Sequence, residues 1–153
     1  MTRRTGMRRR IDKAATIPVL SWRRRRAIAA EACIWLAVAR LCLLCLPFRH
    51  AMRLVSGQDA SLVDGSRILK ARTFAAYMTR AAGFVPFRAK CIEQALGLHF
   101  MLRVRGVPSV LHYGIATSPG IRAHVWLSVG PEVVLGDDGR DEFCAVASFP
   151  IRE

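Results

Sequence analysis

Between Ser21 and Pro47 the chain opens with Trp22 and four arginines and is then almost wholly Ala, Leu, Ile, Val and Cys, broken by Glu31, Trp35 and Arg40. A capping residue in front and a helix-stopping proline behind predict one long helix over residues 22–46, and a further short turn of helix is expected over 50–55. Residues 56–64 read as a polar loop. From 66 to 82 the apolar positions Ile68, Ala71, Ala75, Met78 and Ala82 alternate spacings of three and four, with Lys70 and Arg80 on the other side. That is the period of a second helix. Gly83 and Pro86 interrupt the chain, and a third helix opens at Cys91, carries Ala95, Leu98 and Leu102 on one face and runs to Gly106. Beyond Pro108 the pattern changes to strand-like runs at 109–116, 123–129, 132–135 and 142–147, punctuated by Ser-Pro-Gly, Gly-Pro and Gly-Asp-Asp-Gly. Helices followed by strands predict an α+β fold, with N-terminal helices packed on a mostly antiparallel sheet.

Charge changes this picture at one end only. Of the 24 Lys and Arg residues, ten fall in residues 1–26, against the single acid Asp12. The net charge of +13 is therefore concentrated in residues 1–26, ahead of the rest of the chain; residues 1–20 are expected to form a basic arm without periodic structure, followed by a domain over 21–153. The arm suits an anionic partner or a membrane surface, and nothing in the body of the chain predicts nucleic-acid binding. The run Arg23, Arg24, Arg25, Arg26 followed by apolar residues imitates a signal anchor. Glu31 and Arg40 oppose that reading, because an arginine near a bilayer centre costs about 2.5 to 3.5 kcal/mol. A packed helix is the expectation. Five cysteines without disulfide-like spacing point to a reducing compartment, so the protein is expected in the cytoplasm, with membrane association through the arm as the variant reading.

Candidate chemistry centres on Cys91, placed where a loop becomes a helix. Free backbone N–H groups and the positive end of the helix dipole favour its thiolate, and Arg88 and Lys90 add positive charge. The same N–H groups would suit an oxyanion. A thiolate nucleophile needs a group to protonate the leaving amine. His124 lies in a predicted strand, on a face shared with Trp126 and Ser128 and opposite the apolar Val125, Leu127 and Val129. A two-residue Gly130-Pro131 turn would set Asp137 across from His124, whereas a three-residue loop would set Asp138 there. The first register is preferred, although Gly-Asp-Asp-Gly is also ordinary turn chemistry. Cys42 and Cys45 form a C-x-x-C inside the long apolar helix, which predicts core packing rather than zinc binding. His99 is expected near the surface, His112 in the first strand as support for the site, and Cys144 in a strand at the far end. No phosphate-cradling loop or dinucleotide fingerprint is present, and neither cofactor nor metal is expected.

The segment Cys-Ile-Glu-Gln-Ala-Leu-Gly-Leu-His-Phe-Met-Leu-Arg-Val-Arg-Gly-Val-Pro from Cys91 to Pro108, with Ala-His-Val-Trp-Leu at 123–127, resembles the transglutaminase-like B proteins of lasso peptide biosynthesis in their stand-alone leader-peptidase form. The resemblance runs from Trp22 onward and includes the Leu-Pro-Phe-Arg that ends the first helix. It implies a papain-like or transglutaminase-like cysteine protease that cuts the leader from a ribosomally made precursor peptide. Its implied partners are that precursor, a separate leader-recognition protein and a lasso cyclase. The roles it implies are Cys91 as nucleophile, His124 as base and acid, and an Asp after the next strand, Asp137 or Asp138. The family usually shows His-Ala-Trp-Val-Glu, whereas this chain has Val125, Leu127 and Ser128 at the second, fourth and fifth places.

Overall fold

The computed structural model describes residues 21–55 and 63–150, so the basic arm read at 1–20 and most of the polar loop read at 56–64 lie outside the described residues. The long apolar run forms helix α1, Trp22–Cys45, which buries Ile28, Ala32, Leu36 and Ala39 as one stripe. Ser21 does not cap it through its side chain; its carbonyl instead accepts from the Arg25 N–H at 3.0 Å. Pro47 starts α2, Phe48–Arg53, two residues before the expected turn. Helix α3, Gly65–Ala81, begins at Asp64, whose carboxylate accepts the Arg67 N–H at 2.8 Å and supplies the cap that the polar loop concealed. Helix α4, Cys91–Arg103, opens at the expected residue.

Helix α1 packs on α3 and α4. Gly97 lets the α1 and α4 backbones close up, since a Cβ there would stand 3.1 Å from the Trp35 carbonyl oxygen. The two charges that interrupt the apolar run face α4 and the turn that follows it: Glu31 pairs with Arg105 at 2.5 Å and Arg40 with Glu93 at 2.6 Å. The Arg105 guanidinium beside Glu31 holds that carboxyl below the usual range. Between the helices and the sheet, Leu36, Leu96, Leu98, Leu102, Leu111 and Leu127 are fully buried, each worth about 1.5 to 3 kcal/mol relative to exposure.

Strands β1 (Val110–Ala116), β2 (Arg122–Val129), β3 (Glu132–Leu135) and β4 (Cys144–Phe149) form one antiparallel sheet in the order β3-β2-β1-β4. The chain thus crosses from one sheet edge to the other between β3 and β4. Part of that crossing is a 3-10 turn at Arg140–Glu142, which takes Glu142 out of the expected strand, while Ser148 and Phe149 extend the strand by pairing with His112 and Leu111. Val125, Leu127 and Val129 turn to the helices and join the core, as the alternation predicted. His99 departs from expectation: it is 2% exposed, with Nδ1 bonded to Ser109 Oγ at 2.9 Å, because helix α4 turns it toward the start of β1 rather than outward. The cysteine pair departs in part. Cys42 packs against the core, but Cys45 is exposed on the side of α1 away from the buried stripe.

Candidate active site

Cys91 is the first residue of α4, half-buried and in contact with the core. Two side chains one turn further on reach back to the segment that delivers it. Glu93 accepts the Lys90 N–H at 2.5 Å, and Gln94 donates to the Ala89 carbonyl at 3.0 Å. Glu93 is 2% exposed, and its other oxygen takes the Arg40 guanidinium. Helix α1 therefore anchors the entry to α4 through a carboxylate two residues from the cysteine. Sequence reading passed over this pair, because 53 positions separate the partners and Arg40 reads only as an interruption of an apolar run. The N–H groups of Cys91 and Ile92 precede the first intrahelical acceptor and make no backbone hydrogen bond among the described residues. They remain available to an oxyanion.

His124 stands on β2 opposite Gly114 of β1, on the sheet face turned from the helices. Residues 136–143, crossing from β3 to β4, supply its surroundings. The Phe143 ring is 5.1 Å from the imidazole, and the Gly136 carbonyl oxygen is 2.8 Å from Nε2. A carbonyl only accepts, so Nε2 carries the hydrogen and Nδ1 of the neutral ring carries the lone pair. Trp126 stacks on His124 at 6.1 Å and on His112 at 5.6 Å. Gly114 makes room for that indole, since a Cβ there would fall 2.6 Å from its ring. His112 is bonded through Nδ1 to Ser148 and through Nε2 to Ser128, each at 2.8 Å, and burial, aided by the Arg140 charge, pulls its pKa below the usual value. The first-strand histidine therefore supports the indole that lies against His124.

The acid positions resolve differently from the simple count. The Gly130-Pro131 turn is two residues long, with Val129 opposite Glu132 and Ser128 opposite Val133. A bulge then shifts the register by one, so Leu127 faces Leu135. Asp137 is thereby moved off the place across from His124 that an unbroken two-residue hairpin would give it. β3 ends at Leu135, and the backbone of Gly136, with φ at +78°, presents its carbonyl to the imidazole. Asp137 and Asp138 are exposed and follow that residue directly. The Asp137 carboxylate lies 3.9 Å from Arg140 and borders a groove of about 290 Å³ between α3 and β3, lined also by Arg72, Ala75, Thr79 and Asp138. Among the described residues the Cys91 thiol has no hydrogen bond to His124, whose ring lies on the sheet face turned from the helices, so the structure does not bring the two together. The structure thus presents a cysteine at a helix start, a histidine in a fixed tautomer on the strand against which that helix packs, and two acids beside the group that fixes it.

The sequence profile of the transglutaminase-like superfamily matches residues 1–148. Comparison with curated proteins and with solved structures returns no match.

Proposed function

The chain belongs to the transglutaminase-like superfamily, whose members are commonly cysteine hydrolases or acyltransferases, and from that premise we propose that it is a cysteine peptidase that removes the leader from a lasso peptide precursor. Cys91 is its nucleophile and His124 its base and acid. The observation that carries this reading is that Cys91 opens the helix packed on the His124 strand, while the Gly136 carbonyl already holds the imidazole with Nδ1 as acceptor. The structure does not bring the two side chains together, so this reading requires that they meet in the substrate complex.

Nδ1 takes the Cys91 thiol proton, and the sulfur attacks the scissile carbonyl. The oxyanion forms beside the N–H groups at the start of α4. Collapse breaks the C–N bond, and the imidazolium returns its proton to the amine, which departs as the N-terminus of the core peptide. Water, deprotonated by the same imidazole, then hydrolyses the thioester, leaving the leader with a free carboxylate and Cys91 as a thiol. Asp137 or Asp138 steadies the imidazolium across the carbonyl-bonded edge of the ring. All five cysteines are free thiols, which supports work in a reducing cytoplasm beside a leader-recognition protein and a cyclase.

The test is mass spectrometry of a precursor peptide incubated with the protein and its recognition partner. Wild type is expected to release the leader, while Cys91→Ala and His124→Ala, folded by circular dichroism, lose at least about a thousandfold in rate. Of Asp137→Asn and Asp138→Asn, one is expected to lose activity and the other to retain it. Equal behaviour of wild type and both triad variants would reject the peptidase in favour of a peptide-holding scaffold. Transfer of the acyl group to an added amine, without hydrolysis, would identify an acyltransferase.

A further inference from the structure

Among the described residues, helix α1 is covered on one side only. Opposite its buried stripe, Ile34, Leu41 and Leu44 are 62%, 59% and 66% exposed, and the strip continues through Leu46 into Phe48 of α2. No charge lies on this strip between Ala27 and Phe48, because the helix's two charges there, Glu31 and Arg40, are turned aside into ion pairs with Arg105, just past α4, and with Glu93 of α4. The charges come at its ends. Arg23 to Arg26 stand exposed at one end, with Arg26 over the Trp22 ring, and Arg49 and Arg53 are exposed at the other.

We propose that this face of α1 docks in the plane of an anionic lipid surface, with the apolar strip in the acyl boundary and the arginines at both ends on the headgroups. The charge pattern selects this occupant over a second copy of the chain. Because both ends are basic, pairing two strips sets arginines against arginines whether the helices run parallel or antiparallel, and the basic sequence of residues 1–20 adds to that repulsion. An anionic bilayer satisfies every part of the pattern: apolar side chains enter it, Trp22 suits its interface, and arginines at each end meet lipid phosphate. The helix lies on the surface and does not span it, since Ile28, Ala32, Leu36 and Ala39 on its other side are committed to the core.

The test is sedimentation of the full chain with vesicles of phosphatidylcholine alone or with about a third phosphatidylglycerol. Binding is expected to the anionic vesicles only, to weaken as salt rises, and to fall about tenfold or more in Ile34→Gln/Leu41→Gln/Leu44→Gln with an unchanged melting temperature. A second variant, with Arg23 to Arg26 all changed to Gln, leaves the core untouched and is expected to lose binding as well. Equal binding to both vesicle types, or by wild type and both variants, would overturn the proposal. So would resistance to alkaline extraction, which marks a spanning helix. Conversion of a wild-type dimer to a monomer by the triple variant, with vesicle binding unaffected, would assign the face to a second copy instead.

Discussion

Glu93 is a surprising neighbour for a cysteine proposed as nucleophile, since a carboxylate two residues on should oppose the thiolate that the helix start favours. Arg40 removes the conflict. At 2.6 Å it balances the charge, while the remaining carboxylate oxygen holds the Lys90 N–H and with it the backbone leading to Cys91. Residue types marked Cys91 and His124 as candidates in the sequence, because few side chains can act as nucleophile and base. They did not disclose Glu93, whose role depends on a contact made only when α1 and α4 pack. Glu93→Ala leaves Arg40 without its partner and Lys90 without its acceptor, and is expected to cost about 3 kcal/mol; Arg40 keeps some water, which holds the figure to the low end for a broken pair. Glu93→Gln retains an acceptor for Lys90 and is expected to cost about half as much. Urea unfolding of both variants measures this, and a loss below about 1 kcal/mol for the alanine would show that the pair does not anchor the entry to α4.

At the level of elements, α3, α4 and the first three strands could be read from the sequence because their apolar runs are set apart by short breaks marked with glycine and proline. The β3–β4 connection could not be read in this way. Its register depends on a bulge, which inserts a residue without any compositional mark, and the group that orients His124 is a main-chain carbonyl that every residue possesses. The two-residue turn was legible in Gly130-Pro131; what followed it was not. Gly136 is the hidden determinant. With φ at +78° it occupies a region costly for other residues, and a Cβ would lie 2.8 Å from the Val125 carbonyl oxygen, part of a paired strand that cannot yield. Gly136→Ala is therefore expected to destabilise the protein by about 2 kcal/mol or more, and to turn the carbonyl from His124. If the proposed chemistry holds, its activity at a temperature where it remains folded falls more than tenfold. Gly139→Ala provides the control: its φ is similarly positive at +71°, but a Cβ there meets nothing within 4 Å, so only the backbone strain is common to both. Equal activity in the two variants would mean that strain, not the carbonyl's aim, is what matters.

Across the whole molecule, neutral histidines tie stability to pH. His99 lies where the helical layer meets the sheet; burial, then the nearby Arg103 charge, pulls its pKa down from 6.5 to about 4. Its Nδ1 is bonded to Ser109, and Nε2 is buried with no partner among the described residues. Whichever way the Ser109 bond runs, a protonated ring would hold an N–H with no acceptor. The unfolded chain therefore binds a proton between about pH 6.5 and 4 that the folded chain refuses, so stability rises with pH through that window. The contribution is complete above the unfolded value and is lost as pH falls toward the folded one. His112, also shifted downward, acts in the same direction. Glu31 acts at lower pH, because its carboxyl titrates below 4.5 when folded, which leaves the range from about pH 5 to 6.5 to the histidines. Chemical unfolding across that range is expected to show a gain for the wild type approaching 1.4 kcal/mol per pH unit for each refused proton. His99→Gln keeps an amide able to bond Ser109 and removes the titration, so it should be less stable near neutrality yet flatter with pH. A slope in this variant as steep as the wild type's would mean that the junction between helices and sheet is not what couples protons to folding.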